Sequence, residues 1–216
     1  MNNIINLTKM SFINLKSVYK QIWYIWLVWI GVAIYNPFFL NILLGMSILL
    51  TVYQVMAYED HNNIDYLISY LPVKKNEYVL SRYLFGIISI LLSSILLCIV
   101  YVVSIKINEL QDISLSVLLP TSITSAILSM SLIIPLVLKF GINKGRVFMS
   151  IIVMVVSTIP VSLMLEINQD SKMLETIMNI INGLCMPLLT VIINIIILVV
   201  SIAISINLYK IKEITA

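Results

Sequence analysis

The run from Tyr83 to Ile105 constrains the fold of this chain more than any other feature of its sequence. It contains no charged residue, and it is longer than the ~20 apolar residues with which a helix crosses the hydrocarbon core of a bilayer. Within lipid, a helix satisfies all of its backbone hydrogen bonds inside one segment. The run therefore predicts a membrane-spanning helix, and with it an integral membrane protein.

Further apolar runs repeat this pattern along the chain. Of the 216 residues, 61% are hydrophobic and only 11% are charged. The first run is short, and it becomes a span only if Lys20 and Gln21 extend their polar ends to the membrane surface. We predict an all-α, polytopic membrane protein with one transmembrane domain over residues 1–216. Its six predicted spans cover about 21–35, 38–57, 79–105, 113–138, 147–165 and 184–208.

Residues 2–20 precede the first predicted span and have two different faces. Three lysines lie along one helical stripe and four apolar residues lie roughly opposite: Lys9, Lys16 and Lys20 against Ile4, Leu7, Leu15 and Val18. This pattern favours an amphipathic helix that lies in the membrane interface. A disordered basic tail that only orients the first span is the alternative.

The basic residues collect on one side of the predicted topology. All but two of the thirteen Lys and Arg residues, Lys106 and Lys172, fall in segments that the six spans place on the same side. Loops rich in Lys and Arg remain in the cytoplasm. Both termini are therefore predicted to be cytoplasmic, with the protein in the cell membrane. The net charge of +3 is too small to indicate nucleic acid as a partner.

The longest polar segment, residues 58–84, joins the second and third predicted spans on the cytoplasmic side. It begins with Glu59 and Asp60. Apolar residues then follow at the i, i+3, i+4 and i+7 positions of a helix: Ile64, Leu67, Ile68 and Leu71. Pro72 cannot extend this helix. We predict a short helix over residues 59–73 with one apolar face.

No pattern of catalytic or metal-binding residues occurs in the sequence. His61 is the single histidine and has no second histidine or cysteine nearby to complete a metal site. The sequence contains no HExxH, no GxSxG and no GK[ST] phosphate loop. We expect no catalytic residues, no metal and no cofactor in this chain, so that any nucleotide chemistry would belong to another chain.

Small hydroxyl residues are frequent in the predicted spans, whereas charged residues are missing from their centres. The missing charges disfavour an ion pathway, because charges at mid-span are costly and are retained for function. Ser and Thr let helices approach closely and hydrogen-bond to one another. Two interpretations stay open: the hydroxyls hold the helices together, or some of them line a path for an amphipathic solute.

Three pieces of the central segment match a known pattern, with an acidic residue, then Leu-Leu-x-Ser-Leu-Pro-Val-x-(Arg/Lys), then Tyr-Leu. The matching pieces are Glu59, Tyr66-Leu67-Ile68-Ser69-Tyr70-Leu71-Pro72-Val73-Lys74-Lys75, and Ser81-Arg82-Tyr83-Leu84. The segment thereby resembles the type-2 ABC exporter permeases of the small six-span group. Tyr70 departs from the pattern, since a small residue or none is expected there. The Asn-, Ile- and Lys-rich composition further resembles permeases that export phenol-soluble modulins and antimicrobial peptides from Gram-positive bacteria.

The resemblance implies that the central helix couples this chain to a separate ATPase, which would bind ATP and Mg²⁺. In the family, a short cytoplasmic helix after the second span seats in a groove of an ABC ATPase subunit. The apolar stripe would be the docking face, and Tyr66, Tyr70, Glu59 and Asp60 would be polar rim contacts ahead of Pro72. A helix that simply lies against the membrane surface is the alternative.

The resemblance also implies a transport role within a larger assembly. The permease would pair with a second copy or with a paralogous permease, surrounded by membrane lipid, and would export an amphipathic or hydrophobic substrate, with peptide favoured. The rival interpretation is a stand-alone immunity or accessory protein that binds an antimicrobial peptide without using ATP. The two differ in whether the central helix tolerates a charge at Leu67.

Overall fold

The chain forms a bundle of long helices, seen here in a computed structural model. The structure describes residues 2–35, 39–70, 72–108, 115–142, 151, 155–156 and 186–211, and the secondary structure within these ranges is helical throughout, as predicted. The elements are α1 (Asn2–Tyr35), α2 (Phe39–Ile48), a π-helical turn (Leu49–Tyr53), α3 (Gln54–His61), α4 (Ile64–Ser69), α5 (Lys75–Asn108), α6 (Leu115–Phe140) and α7 (Met186–Ile211).

Five helical segments in the described ranges are long and apolar enough to cross a membrane: Asn3–Tyr35, Ile42–His61, Lys75–Ile107, Leu118–Phe140 and Thr190–Ile211. The second of these continues from α2 through the π-helical turn into α3. The five agree in position with five of the six predicted spans. The predicted span at 147–165 lies outside the described residues except for 151, 155 and 156.

The first helix is longer than the sequence suggested. α1 runs without a break through the predicted interfacial segment and the predicted first span, and its 34 residues reach about 50 Å at 1.5 Å per residue. The two faces of residues 2–20 are as predicted, with Leu7, Leu15 and Val18 buried and the lysines exposed. However, the apolar face packs on protein, chiefly α5, and α1 continues into the first span where a separate helix in the membrane interface was expected.

α1 and α5 lie side by side and run in the same direction. Asn3 Nδ2 donates to Glu77 Oε2 at 3.1 Å near the start of both helices. Near their other ends, Ser104 Oγ donates to the carbonyl oxygen of Ile34 at 2.9 Å. The two helices therefore stay in register over most of their length.

α7 runs antiparallel to α5. Lys75 Nζ donates to the carbonyl oxygen of Lys210 at 3.3 Å, and the Tyr83 hydroxyl lies 2.5 Å from Ser201 Oγ and 2.7 Å from Ser205 Oγ. The starts of α1 and α5 and the end of α7 consequently meet at one end of the bundle. We call this the basic end, because Lys9, Lys75 and Lys210 all belong to it.

A hydrogen bond between hydroxyl-bearing residues joins α6 to the packed helices α1, α5 and α7. Ser201 Oγ donates to the carbonyl oxygen of Ser131 at 2.7 Å, linking α7 to α6. Gly86 of α5 lies against the side chain of Met130, where a Cβ would clash with the sulfur. These contacts favour helix packing as the role of the hydroxyls that make them.

Candidate functional site

The segment between α3 and α5 lies at the basic end and contains the short helix α4. α3 ends at His61, and Asn63 adopts the left-handed conformation with φ 53°, which asparagine tolerates better than most residues with a Cβ. The backbone N–H groups of Asn62 and Asn63 donate to the carbonyl oxygens of Tyr58 and Asp60 at 3.1 and 3.0 Å. The predicted helix over 59–73 is therefore divided: its first residues belong to α3, and α4 begins after the turn.

The chain returns to the bundle at the start of α5. Pro72 is exposed and lies outside the helices, as its missing N–H requires. Glu77 Oε2 accepts hydrogen bonds from the backbone N–H of Lys74 and from Asn3 Nδ2, both at 3.1 Å. Glu77 thus caps the N-terminus of α5 and ties it to α1.

The apolar stripe of the predicted docking face is divided between two environments. Ile68 is buried in the bundle, at 6% exposure, and Ile64 is half-buried against it, whereas Leu67 is 61% exposed. Tyr70 is 71% exposed. Leu71 and the side chain of Tyr66 lie outside what the structure describes. α4 therefore rests on the bundle through its isoleucines and presents Leu67 outward, with Tyr70 just beyond its end.

Glu59 lies in the interior, in contrast to the predicted rim position. Its side chain and that of Arg82, each in a residue only 1% exposed, form an ion pair through Glu59 Oε2 and Arg82 Nη2. Asn14 Nδ2 donates to Glu59 Oε1 at 2.9 Å, and Ser11 Oγ lies 3.5 Å from the same oxygen. The other predicted acidic contact, Asp60, is exposed.

Arg82 is held from three sides. Its Nη1 donates to Ser11 Oγ at 2.6 Å, and its Nη2 donates to the Tyr78 hydroxyl at 2.9 Å. The guanidinium group also lies 4.5 Å from the centroid of the Tyr78 ring. We call these five residues, Ser11, Asn14, Glu59, Tyr78 and Arg82, the buried charge cluster.

The buried charge cluster fixes both ends of the segment that carries α4. Glu59 lies two residues before the end of α3, and Arg82 lies in the second turn of α5. Removing charges from water is costly, and a buried pair tolerates this only when its geometry and remaining hydrogen bonds are good. The pair therefore favours one arrangement of α1, α3 and α5. The segment that contains α4 is held at both ends, by Glu59 before it and by Arg82 after it.

Sequence reasoning missed this cluster, although two signals for it were present. Ser11 and Asn14 fall on the same helical face as Leu7, Leu15 and Val18, and polar residues within an apolar face indicate a buried polar partner. Arg82 belongs to the matched Ser-Arg-Tyr-Leu piece of the central segment. Because Arg82 was counted among the cations that set the topology, its position in the interior was not predicted.

Comparison with known protein families identifies a family that matches most of the chain. Residues 6–210 match a family model described as "ABC-2 family transporter protein". No curated protein and no solved structure matches the chain significantly. The family match begins within the first two turns of α1 and ends one residue before the end of α7, so it includes α4 and the buried charge cluster.

Proposed function

Because the chain belongs to the ABC-2 transporter family, we propose that it is the permease subunit of an ABC exporter and that its ATPase partner binds at α4. Subunits of this kind serve transport, and the partner hydrolyses ATP. The observation that carries the proposal is the exposure of Leu67 and Tyr70 on a segment whose two ends are fixed in the bundle. The exposed tyrosine suits an interface anchor, since aromatic side chains are enriched in such contacts, and the exposed leucine beside it adds apolar area that a partner can bury.

The buried charge cluster supplies a way for motion at α4 to reach the membrane. Displacing α4 pulls on Glu59 through α3 and on Arg82 through α5, and Ser11 and Asn14 extend the connection to α1. Separating the buried pair would leave an uncompensated charge, so the three helices move together as one body. Movement of this body against a second permease, identical or paralogous, would open and close a route between them.

The direction of the helices supports six crossings with both termini in the cytoplasm. Contacts at the basic end join Asn3 to Glu77 and Lys75 to Lys210, so the chain enters and leaves the described bundle at the same end. That arrangement requires an even number of crossings, and five candidate spans lie in the described ranges. We assign the remaining crossing to 147–165 and the basic end to the cytoplasm, following its lysines.

Cysteine labelling tests this topology. In a variant whose native Cys98 and Cys185 are replaced by alanine, single cysteines introduced at Asn3 and at Lys210 should resist a membrane-impermeant maleimide added to intact cells and should react after the cells are opened, whereas a cysteine at Lys106 should react in both cases. Labelling of either terminal position in intact cells would contradict the assignment.

We propose an amphipathic or hydrophobic substrate, with peptide as the first candidate. Two features support this choice: residues 21–35, 83–105 and 190–208 contain no charged residue, and the exposed positions along them are mostly apolar. Charged solutes need compensating groups along their path. The resemblance to exporters of phenol-soluble modulins and antimicrobial peptides points in the same direction.

Affinity purification of the native complex tests the proposed function. An ABC ATPase chain should be recovered at near-equal amount with this permease in mild detergent. In reconstituted vesicles, its ATP hydrolysis should rise when an amphipathic helical peptide is added. Recovery of the permease without any ATPase would contradict the proposal and favour a stand-alone protein that binds peptide without ATP.

A further inference from the structure

A cleft of about 440 Å³ opens between α1 and α3, separate from α4 and from the buried charge cluster. Two helical stripes form its walls: Val18, Gln21 and Ile22 on α1, and Gln54, Ala57, Tyr58, His61 and Asn62 along α3 and just past its end. Ala57 lies in the middle of its stripe, and its small side chain leaves the space open. The volume lies within the range of sites that bind small molecules or headgroups.

The lining offers many hydrogen bonds and no permanent charge. The side-chain amides of Gln21, Gln54 and Asn62 each supply both donors and acceptors, while Tyr58 and His61 add a hydroxyl and an imidazole. Asn62 Nδ2 uses one hydrogen for the carbonyl oxygen of Tyr58, at 2.7 Å, and its Oδ1 stays available to a ligand. Sugar hydroxyls, which both donate and accept, match this set.

The surrounding charges disfavour an anionic ligand. By helical spacing, Lys9, Lys16 and Lys20 lie on the side of α1 opposite Val18, and all three are exposed. Asp60, the neighbour in sequence of the lining residue His61, is exposed, and the C-terminal end of α3 carries the negative end of the helix dipole. A phosphate group in the cleft would therefore meet neutral groups and negative potential. An uncharged headgroup would not be repelled by this potential.

The position of the cleft along α1 matches the headgroup level of a membrane. Lys20 is exposed within this stretch of α1, and Trp23 and Tyr24 are exposed, at 57% and 55%, in the turn that follows. Lysines followed by exposed aromatic residues mark the membrane interface. From Gln21, an exposed column of Tyr24, Val28 and Val32 continues along α1 at helical spacing, which gives an acyl chain an apolar surface.

We propose that this cleft binds a membrane lipid with an uncharged, polyhydroxylated headgroup, that is, a glycolipid, whose acyl chain lies along Tyr24, Val28 and Val32. The headgroup bridges Gln21 of α1 and Gln54 of α3. The lipid thereby joins the two helices. This site is independent of the ATPase contact at α4.

Native mass spectrometry of the full-length protein tests the site. The purified protein is mixed with glucosyl-diacylglycerol, with diacylglycerol of the same chains, with phosphatidylglycerol or with free glucose. The parent should retain glucosyl-diacylglycerol at least about tenfold better than the other three, a difference that one or two lost hydrogen bonds account for. Preference for phosphatidylglycerol, equal retention of plain diacylglycerol, or equal retention of free glucose would overturn the proposal.

Two variants locate the binding. Ala57→Phe fills the cleft, and Gln54→Leu removes an amide with little change in volume; each should reduce retention of glucosyl-diacylglycerol about tenfold. The matched control is Ala203→Phe, at an exposed position of α7, which should bind as the parent does. Undiminished binding by Gln54→Leu, measured on protein that elutes as the parent does, would place the lipid elsewhere and overturn the proposal even if Ala57→Phe fails to fold.

Discussion

Replacing Arg82 with methionine is expected to lower the free energy of unfolding by about 3–5 kcal/mol, the usual cost of leaving a buried charge without its partner. Glu59 would keep Asn14 Nδ2 and Ser11 Oγ as neutral neighbours, but it would face no cation in an interior where it is 1% exposed. The loss should be measured as a lower thermal midpoint of the detergent-solubilised protein, by fluorescence-detected size exclusion. A lower yield from membranes should accompany it.

A pair of further variants separates the ion pair from the general effect of removing a cation. Lys16→Met removes an exposed lysine and should change stability by no more than about 0.5 kcal/mol. The double variant Glu59→Leu/Arg82→Met removes both charges and should regain most of the stability, since replacing a whole buried pair with apolar residues is often neutral. If Arg82→Met alone melts as the parent does, the cluster is not the fixed point that we infer.

The spans were predictable because their signal is local. A run such as 83–105 excludes charge over the full thickness of a bilayer, and no tertiary contact is needed to recognise it. The continuity of α1 was less accessible. An amphipathic face at Leu7, Leu15 and Val18 is equally suited to lipid and to protein, and only the packing on α5 decides between them.

The interior position of Glu59 could not be read from its neighbours in the sequence. Its partners come from Asn14 and Ser11, 45 and 48 positions earlier, and from Arg82 on the far side of α4. Glu59 and Arg82 each have an ordinary explanation at the surface when considered alone, and the polar positions of α1 do not identify the partner that they contact. Their convergence depends on the parallel packing of α1 and α5, which periodicity does not encode.

The apolar stripe of α4 presents the opposite case, in which the pattern was found but its orientation was not. Spacing of i, i+3 and i+4 identifies Ile64, Leu67 and Ile68 as neighbours on a helix. In a helix of six residues, such a stripe can divide between the bundle and a partner. The structure places Ile68 inward and Leu67 outward, so Leu67 is the position at which a charge tests the interface without disturbing the core.

Leu67→Asp is expected to abolish recovery of the ATPase while leaving the permease folded. An aspartate would have to lose its water in the interface without a partner cation, which should weaken binding by at least about 2 kcal/mol, roughly thirtyfold. Leu67 is already 61% exposed. The free energy of unfolding of the permease alone should therefore change by no more than about 0.5 kcal/mol, as for other surface substitutions, and its melting midpoint should stay close to that of the parent. Co-purification and peptide-stimulated ATP hydrolysis in vesicles measure the first effect, and size exclusion measures the second.

Two further aspartate substitutions serve as controls for Leu67→Asp, one at an exposed position and one at a buried position. Ile5→Asp introduces the same charge at an exposed position of α1, at the basic end but away from α4, and it should leave ATPase recovery unchanged. Ile68→Asp places the charge in the bundle, so it should lower the stability of the permease as well as the recovery of the ATPase.

A Leu67→Asp permease that retains its ATPase would mean that the partner contacts another surface of the basic end. In contrast, loss of the ATPase from both Leu67→Asp and Ile5→Asp would indicate that negative charge anywhere at this end repels the partner, and that Leu67 makes no specific contact.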